Sequence, residues 1–353
     1  MQQLNHLLTI AARDSVHPLV GWSVAKVRQR FAVYFIGSVL MLVGIVWGAV
    51  ASDSGLRPTP GPMAQSPQAS QSTQGPQSPQ SPQASPTAGP ADVDPTAALT
   101  RSEAGSPSGK AVPLGNLPGW HQVFSDDFTE GSVPIGGFPG DAFTAKWSAN
   151  YFDGTPDTAG QHNGGRSGYY PSKVLSIHDG VLDMYLHSEN GVSMGAAPAP
   201  KIGGNNEAHY NSQIYGLYSV RFRSDALPGF KVAWLLWPDS GKWPADGEID
   251  FPEQDLASKF FAAMHSTGST QESASATFQT DASFQAWNTA TIEWAPGRVE
   301  FFLNGKSIGV STSGVPSTPM HYVLQTESCL PNCPDPKTQG HLYLDWVAIW
   351  ARG

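Results

Sequence analysis

Charge is scarce in this chain. Only 14% of its residues are Asp, Glu, Lys or Arg, and 20 basic residues face 29 acidic ones, a formal net charge of −9. Phosphate backbones are held by clustered Lys and Arg, so this balance argues against a nucleic-acid partner. Cysteine is nearly absent as well: Cys329 and Cys333 stand alone, with Leu-Pro-Asn between them. Two thiols with no further ligand nearby do not make a metal site. In an exported chain so local a pair closes a small loop disulfide, the alternative being two free thiols. Helical periodicity is also missing beyond residue 112, which argues against a bundle and against a parallel sheet with crossover helices.

The remainder is rich in turn formers and aromatics, with Gly 37, Pro 30, Trp 11 and Tyr 10. Such a profile predicts a β structure with many turns and aromatic surfaces, suited to binding or hydrolysing carbohydrate.

Four regions follow one another. Residues 1–30 carry Arg13, Lys26, Arg28 and Arg30 against the single acid Asp14. Phe31 to Ala51 contains no charge and, at 21 residues, is long enough to span a bilayer with the basic end in the cytoplasm. Ala49-Val-Ala51 also has the small-x-small form of a cleavage site. The expectation is therefore a retained single-pass anchor with an extracytoplasmic domain, or secretion after signal cleavage. Residues 52–112 are Pro, Ser, Gln, Ala, Thr and Gly, with Ser-Pro-Gln recurring at 66–68, 78–80 and 81–83. Such a stretch buries too little apolar area to offset ordering entropy, so a disordered spacer is predicted. Residues 113–353 are left as the folded domain. Their short apolar or alternating runs between Gly, Pro, Asn and Asp predict an antiparallel β-sandwich, with hairpin tips at His178-Asp-Gly180 and Leu303-Asn-Gly305.

The stretch with chemistry in it is Trp243-Pro-Ala-Asp-Gly-Glu-Ile-Asp-Phe-Pro-Glu253. In a strand Glu248 and Asp250 share one face, and Ile249 and Phe251 the other. Strict alternation would turn Glu253 to the apolar side, but Pro252 suits a bulge, which restores the phase. The two Glu backbones then lie ~13 Å apart, close enough for their side chains to approach the ~5 to 5.5 Å carboxyl separation of retaining glycosidases. Three crowded acids cannot all ionise at ordinary pKa, and a raised carboxyl is how a general acid is made. A solvated acidic strand and a calcium loop are the rival readings. A calcium loop spaces its oxygens along a turn rather than among Ile and Phe.

These pieces occur in a familiar order. Phe124-Ser-Asp-Asp-Phe128 with Lys146-Trp147, Asp179-Gly-Val-Leu182, Tyr215-Gly-Leu-Tyr218 with Arg221 and Arg223, and Ala233-Trp234 precede the acidic motif. His265, Ile292-Glu-Trp-Ala-Pro296, Asn304-Gly305 and Leu344-Asp-Trp-Val-Ala-Ile-Trp350 follow it. Over residues 117–353 the chain resembles glycoside hydrolase family 16, the laminarinase and lichenase group. The resemblance implies a jelly roll with a concave glycan cleft, no organic cofactor and a polysaccharide partner; a monomeric catalytic domain is expected. It also implies Glu248 as nucleophile, Asp250 as its support and Glu253 as acid/base. The six-residue Glu-x-Asp-x-x-Glu form is similar to the laminarinase branch, lichenases carrying the five-residue form. Trp243 matches a cleft Trp and His265 a His near the acids, while Trp237, Gln325 and Glu327 fall where cleft residues are expected. Asp345 matches a position that binds structural Ca²⁺ in some relatives.

Two segments depart from the laminarinase pattern: Gln161-His-Asn-Gly-Gly-Arg-Ser-Gly-Tyr-Tyr170 and Gly229-Phe-Lys-Val-Ala-Trp234. Arg166, Tyr169 and Tyr170 in the first either read the glycan or pack their own loop. The expected function is a retaining, endo-acting β-glycanase on β-1,3-glucan or a related polysaccharide. A transglycosylase remodelling the cell envelope and a noncatalytic glycan-binding module are the alternatives.

Overall fold

The computed structural model describes residues 106–202, 212–271 and 273–353. The expected anchor at 31–51, the segment before it and the linker as far as residue 105 lie outside the described residues. Among the described residues no helix is long and apolar enough to cross a membrane.

The regular structure of the described chain is nearly all strand, with one four-residue helix. The first part holds β1 (Trp120–Asp126), β2 (Trp147–Ser148), β3 (Thr155–Pro156), β4 (Ser167–Tyr169), α1 (Pro171–Val174), β5 (Leu175–His178), β6 (Val181–Glu189), β7 (Val192–Gly195) and β8 (Ala199–Pro200). The middle holds β9 (Gly216–Ser224), β10 (Phe230–Pro238), β11 (Glu248–Asp255), β12 (Lys259–His265) and β13 (Ala276–Ser283). Then come β14 (Asn288–Ala295), β15 (Arg298–Leu303), β16 (Lys306–Ser311), β17 (Met320–Ser328) and β18 (Gly340–Arg352). One sheet runs β16-β15-β14-β9-β18-β6-β7-β4-β3, with β1 on β18 and β5 on β6; the other runs β13-β12-β11-β10-β17, and β2-β8 form a small pair.

Alternation builds the sandwich. Tyr218, Val220 and Phe222 of β9 turn inward to meet Val232, Trp234 and Leu236 of β10 and Ile249 and Phe251 of β11 in one core. Phe222 and Trp234 touch edge to face across it at 4.9 Å. The alternate residues of the five-stranded sheet, Ala233, Leu235 and Val323, join Tyr169 and Ala197 in a separate cluster on the opposite face. That second face carries the acids.

The hairpin tips form as expected: Asp179 and Gly180, and Asn304 and Gly305, all have positive φ, the backbone that a two-residue hairpin demands. Lys173 and Val174, just before β5, lie in the helical turn α1. Pro171 stands at its first position, where a missing N–H costs nothing. Residues on both sides of the expected boundary at 113 contact the larger sheet. Val112 and Leu117 pack with Trp346 and Trp350 on the outer face of the larger sheet, and the Trp346 and Trp350 indoles donate to the carbonyls of Lys110 and Gly115. Cys329 and Cys333 are disulfide-bonded.

Candidate active site

Gly247 sets the start of the acidic strand. Its φ is +76°, and a Cβ there would stand 2.6 Å from the His265 carbonyl oxygen, so only glycine lets β11 enter this close to β12. Glu248 then pairs with His265 and Asp250 with Ala263. Beyond Asp250 the register slips: Phe251 and Pro252 together oppose one residue on each neighbour, Trp234 of β10 and Ala262 of β12. Pairing resumes at Glu253 with Ala233 and Phe261. This is a β-bulge, and it returns Glu253 to the face of Glu248 and Asp250. Phe251 keeps its place in the core against Phe260 and Phe301.

The three acids are almost dry, with exposures of 7% for Glu248, 2% for Asp250 and 6% for Glu253. Burial pushes the Glu248 carboxyl up to about 8, and the nearby charge of Glu253 adds to the rise. Asp250 is also raised, first by burial and then by Glu248 and Glu253. The group therefore holds protons at neutral pH that isolated carboxyls would have lost. His265 is fully buried beside them, its Nε2 3.6 Å from Asp250 Oδ2. Glu248, Asp250 and His265 are the one set among the described residues whose ligating atoms all lie within 4.8 Å of one another. A proton shared between carboxyls beside an imidazole accounts for that spacing without a cation.

Aromatic walls flank the acids. Trp237 and Trp243 are stacked at 6.0 Å and 20°, and Trp243 lies 6.0 Å from the His265 ring. On the other side Tyr151 stacks on Tyr169 at 4.5 Å, and the Tyr169 hydroxyl donates to Gln325 Oε1 at 2.9 Å. Glu327 is buried; it accepts from the Thr158 amide at 3.3 Å and from the Thr158 hydroxyl. Asp157 accepts from Gly160 N, Ser167 Oγ and Ser328 N. Burial, with Glu327 second, pushes it up to about 7. The segment that departs from the laminarinase pattern is thus tied to β17 beside the acids.

Of the expected substrate-binding residues, Arg166 is not brought to this group. Arg166 is exposed and turned back on its own loop, its Nε donating to the Asn163 carbonyl at 3.2 Å. Asp345 lies on the other sheet, and its surroundings do not suit Ca²⁺. Its Oδ2 accepts from the Ser106 and Ser108 hydroxyls, and the Arg221 guanidinium donates to Ser108 at 2.9 Å, placing a positive charge where a cation would need oxygen ligands.

The sandwich, the bulged acidic strand and its aromatic walls agree with a family comparison, in which the model of glycosyl hydrolases family 16 matches residues 151–348. The chain belongs to glycosyl hydrolase family 16. It is a glycosidase. Solved structures share its fold. LamAcat of Zobellia galactanivorans is 20% identical, with TM-score 0.50 over 65% of this chain and 97% of that one. The endo-β-1,3-glucanase of Pyrococcus furiosus is 16% identical, with TM-score 0.50 over 66% and 95%. The laminarinase catalytic domain of Thermotoga maritima is 18% identical, with TM-score 0.50 over 67% and 100%. No curated protein sequence matches the chain.

Sequence reasoning about this family 16 glycosidase passed over Lys231, whose Nζ lies 2.7 Å from Glu253 Oε1, and Asp157 behind Glu327. A signal for Lys231 was present, since it is the one charge in the run Phe230-Lys-Val-Ala-Trp-Leu-Leu-Trp237. Asp157 sits in a loop of ordinary composition and carried none.

Proposed function

We propose that this glycosidase is a retaining, endo-acting β-glycanase and that β-1,3-glucan is its first substrate. Glu248, ionised when the proton it shares with Asp250 sits on Asp250, attacks the anomeric carbon while Glu253 gives its proton to the departing glycosidic oxygen, leaving a glycosyl ester on Glu248. Water then attacks the same carbon, returns a proton to Glu253 and frees Glu248 with the starting configuration restored. Asp250 and His265 orient and ration the protons, and the Trp237–Trp243 pair offers flat faces to pyranose rings.

The observation that carries this reading is the bulge at Phe251-Pro252, which supplies two buried Glu residues on one face, four paired steps apart on β12. The β-1,3-glucan preference is supported by what the Pyrococcus furiosus and Thermotoga maritima proteins are named for. The Cys329–Cys333 disulfide suits an oxidising compartment and supports a domain held outside the cytoplasm by the 31–51 segment.

The test is reducing-sugar release from β-1,3-glucan, mixed-linkage glucan and galactan, with the anomeric configuration of fresh product read by NMR. Wild type should release sugar with retention. Glu248→Ala should abolish release on every substrate. Glu253→Ala should lose most activity on polysaccharide but keep more on aryl glycosides, whose leaving groups need no proton. Activity surviving Glu248→Ala would remove the nucleophile, and inverted product would remove the mechanism. Binding without release by wild type would leave a glycan-binding module.

A further inference from the structure

Lys231 places an ammonium on the face that carries the acids. Its side chain is only 18% exposed, and nothing about forming an apolar strand calls for a cation there. Its partners must therefore explain it. Glu253 touches it at 2.7 Å. Glu327 stands directly across from it in the β10–β17 register, on the same face. Asp250 and Glu248 act on it from along β11, and behind Glu327 stand Asp157 and the Tyr169 hydroxyl. Burial alone would lower the ammonium's pKa; Glu253 first and Glu327 next more than offset that, and it is raised. Lys231 thus stays charged at neutral pH.

An acid/base carboxyl changes charge twice in each turnover, protonated when it meets the glycosidic oxygen and ionised once the proton has gone. An ammonium answering to Glu253 alone would hold it ionised and oppose the first step. Sharing the ammonium with a second carboxylate relieves that opposition.

Resting on the assignment of Glu253 as acid/base, we propose that Lys231 is its positioning residue and that Glu327 competes with Glu253 for the ammonium. While Glu253 carries its proton, Glu327 balances Lys231; once that proton has passed to the leaving oxygen, Lys231 stabilises the new Glu253 carboxylate until water returns a proton. Lys231 transfers no atom. Thr158, in the loop before β4, and Tyr169, in the departing segment, hold Glu327 for this role.

The experiment measures kcat/KM against pH on polysaccharide for the full-length chain and for Lys231→Met, Lys231→Arg, Glu327→Gln and the Lys231→Met/Glu327→Gln double variant. Thermal midpoints and activity on an aryl glycoside serve as controls. Loss of the ammonium should move the alkaline limb upward by about 1 to 3 pH units, the usual effect of an adjacent opposite charge on a carboxyl. Glu327→Gln should move it downward, Lys231→Arg should restore the wild-type limb, and Glu327→Gln should have no further effect once Lys231 is Met. Limbs that stay in place, move the same way, or still respond to Glu327→Gln without Lys231 would overturn the proposal. If Lys231→Met does not fold, the sign of the Glu327→Gln shift decides. The two readings fail separately. Full polysaccharide activity in Glu253→Ala sinks the acid/base assignment itself, whereas a proper Glu253→Ala loss with unmoved limbs sinks only the role of Lys231.

Discussion

Removing Pro252 and adding a residue beside it should have opposite consequences. Glu248 and Glu253 are partnered by His265 and Phe261, four steps apart on β12, which at ~3.3 Å per step is ~13 Å. Deletion of Pro252 leaves Glu-Ile-Asp-Phe-Glu in strict alternation. Both Glu residues stay on one face and ~13 Å apart, and Gln254 and Asp255 keep their phase. Activity on β-1,3-glucan should then stay within about tenfold of wild type, a barrier change of ~1.4 kcal/mol. An Ala inserted between Phe251 and Pro252 instead puts Glu253 ~6 positions from Glu248: in strict alternation it keeps the face but lies ~20 Å away, and if the bulge is kept it turns toward Trp234 and Phe260. Either arrangement removes general acid catalysis, ~10²- to 10⁴-fold, and the second also buries a carboxyl among rings at a cost of several kcal/mol. Reducing-sugar release at saturating glucan, with thermal midpoints by circular dichroism, reads both. A folded deletion variant as inactive as Glu253→Ala, or an insertion variant with wild-type activity, would refute the bulge as the device that assembles the pair.

Glu248 keeps its proton up to about pH 8 in the folded chain, against an ordinary value of 4.5. Between these values the folded state binds more protons than the unfolded one, so its contribution is full below pH 4.5 and falls as pH rises, by up to about 1.4 kcal/mol per pH unit. Glu248→Gln should flatten that fall in urea midpoints taken from about pH 4 to 9, and an unchanged slope would count against the burial argument. Gly247→Ala forces a Cβ against the His265 carbonyl at positive φ, so about 1 to 3 kcal/mol of stability and much of kcat should go together. Loss of stability with kcat intact would show that Glu248 does not depend on this entry. Cys329→Ser with Cys333→Ser opens a five-residue loop; the chain-entropy cost is ~2 kcal/mol, or about 4 to 8 °C in Tm, measurable by calorimetry with and without reductant.

Much of the site could be read locally. Glu248, Asp250 and Glu253, the Pro that permits the bulge and the Trp residues beside them lie within 17 residues of sequence, from Trp237 to Glu253. Strand periodicity converts such a spacing directly into a shared face. The hairpin tips were legible for the same reason, because Asp-Gly and Asn-Gly tolerate positive φ wherever they occur. The strand β13 was not: Ala276–Ser283 reads Ala-Thr-Phe-Gln-Thr-Asp-Ala-Ser and lies at the edge of its sheet with none of its residues buried, so it lacks the apolar alternation that marks a strand. Residues 106–112 look like linker because their few contacts are remote, Ser106 and Ser108 reaching Asp345 and Val112 reaching Trp346.

Local spacing alone determined that two Glu residues and an Asp would share one face of a strand, and that the chain around them would fold as a sandwich of antiparallel sheets. Which further groups answer to those acids was decided only when β17 paired with β10 and the loop before β4 was fastened to β17. Lys231 meets Glu327 through a backbone ladder between segments some ninety residues apart. Asp345 is tied to Ser106 and Ser108 by even more distant packing, whereas Arg166 is turned away by its own loop. Pairing of that kind depends on the whole core closing, and no spacing along the chain encodes it.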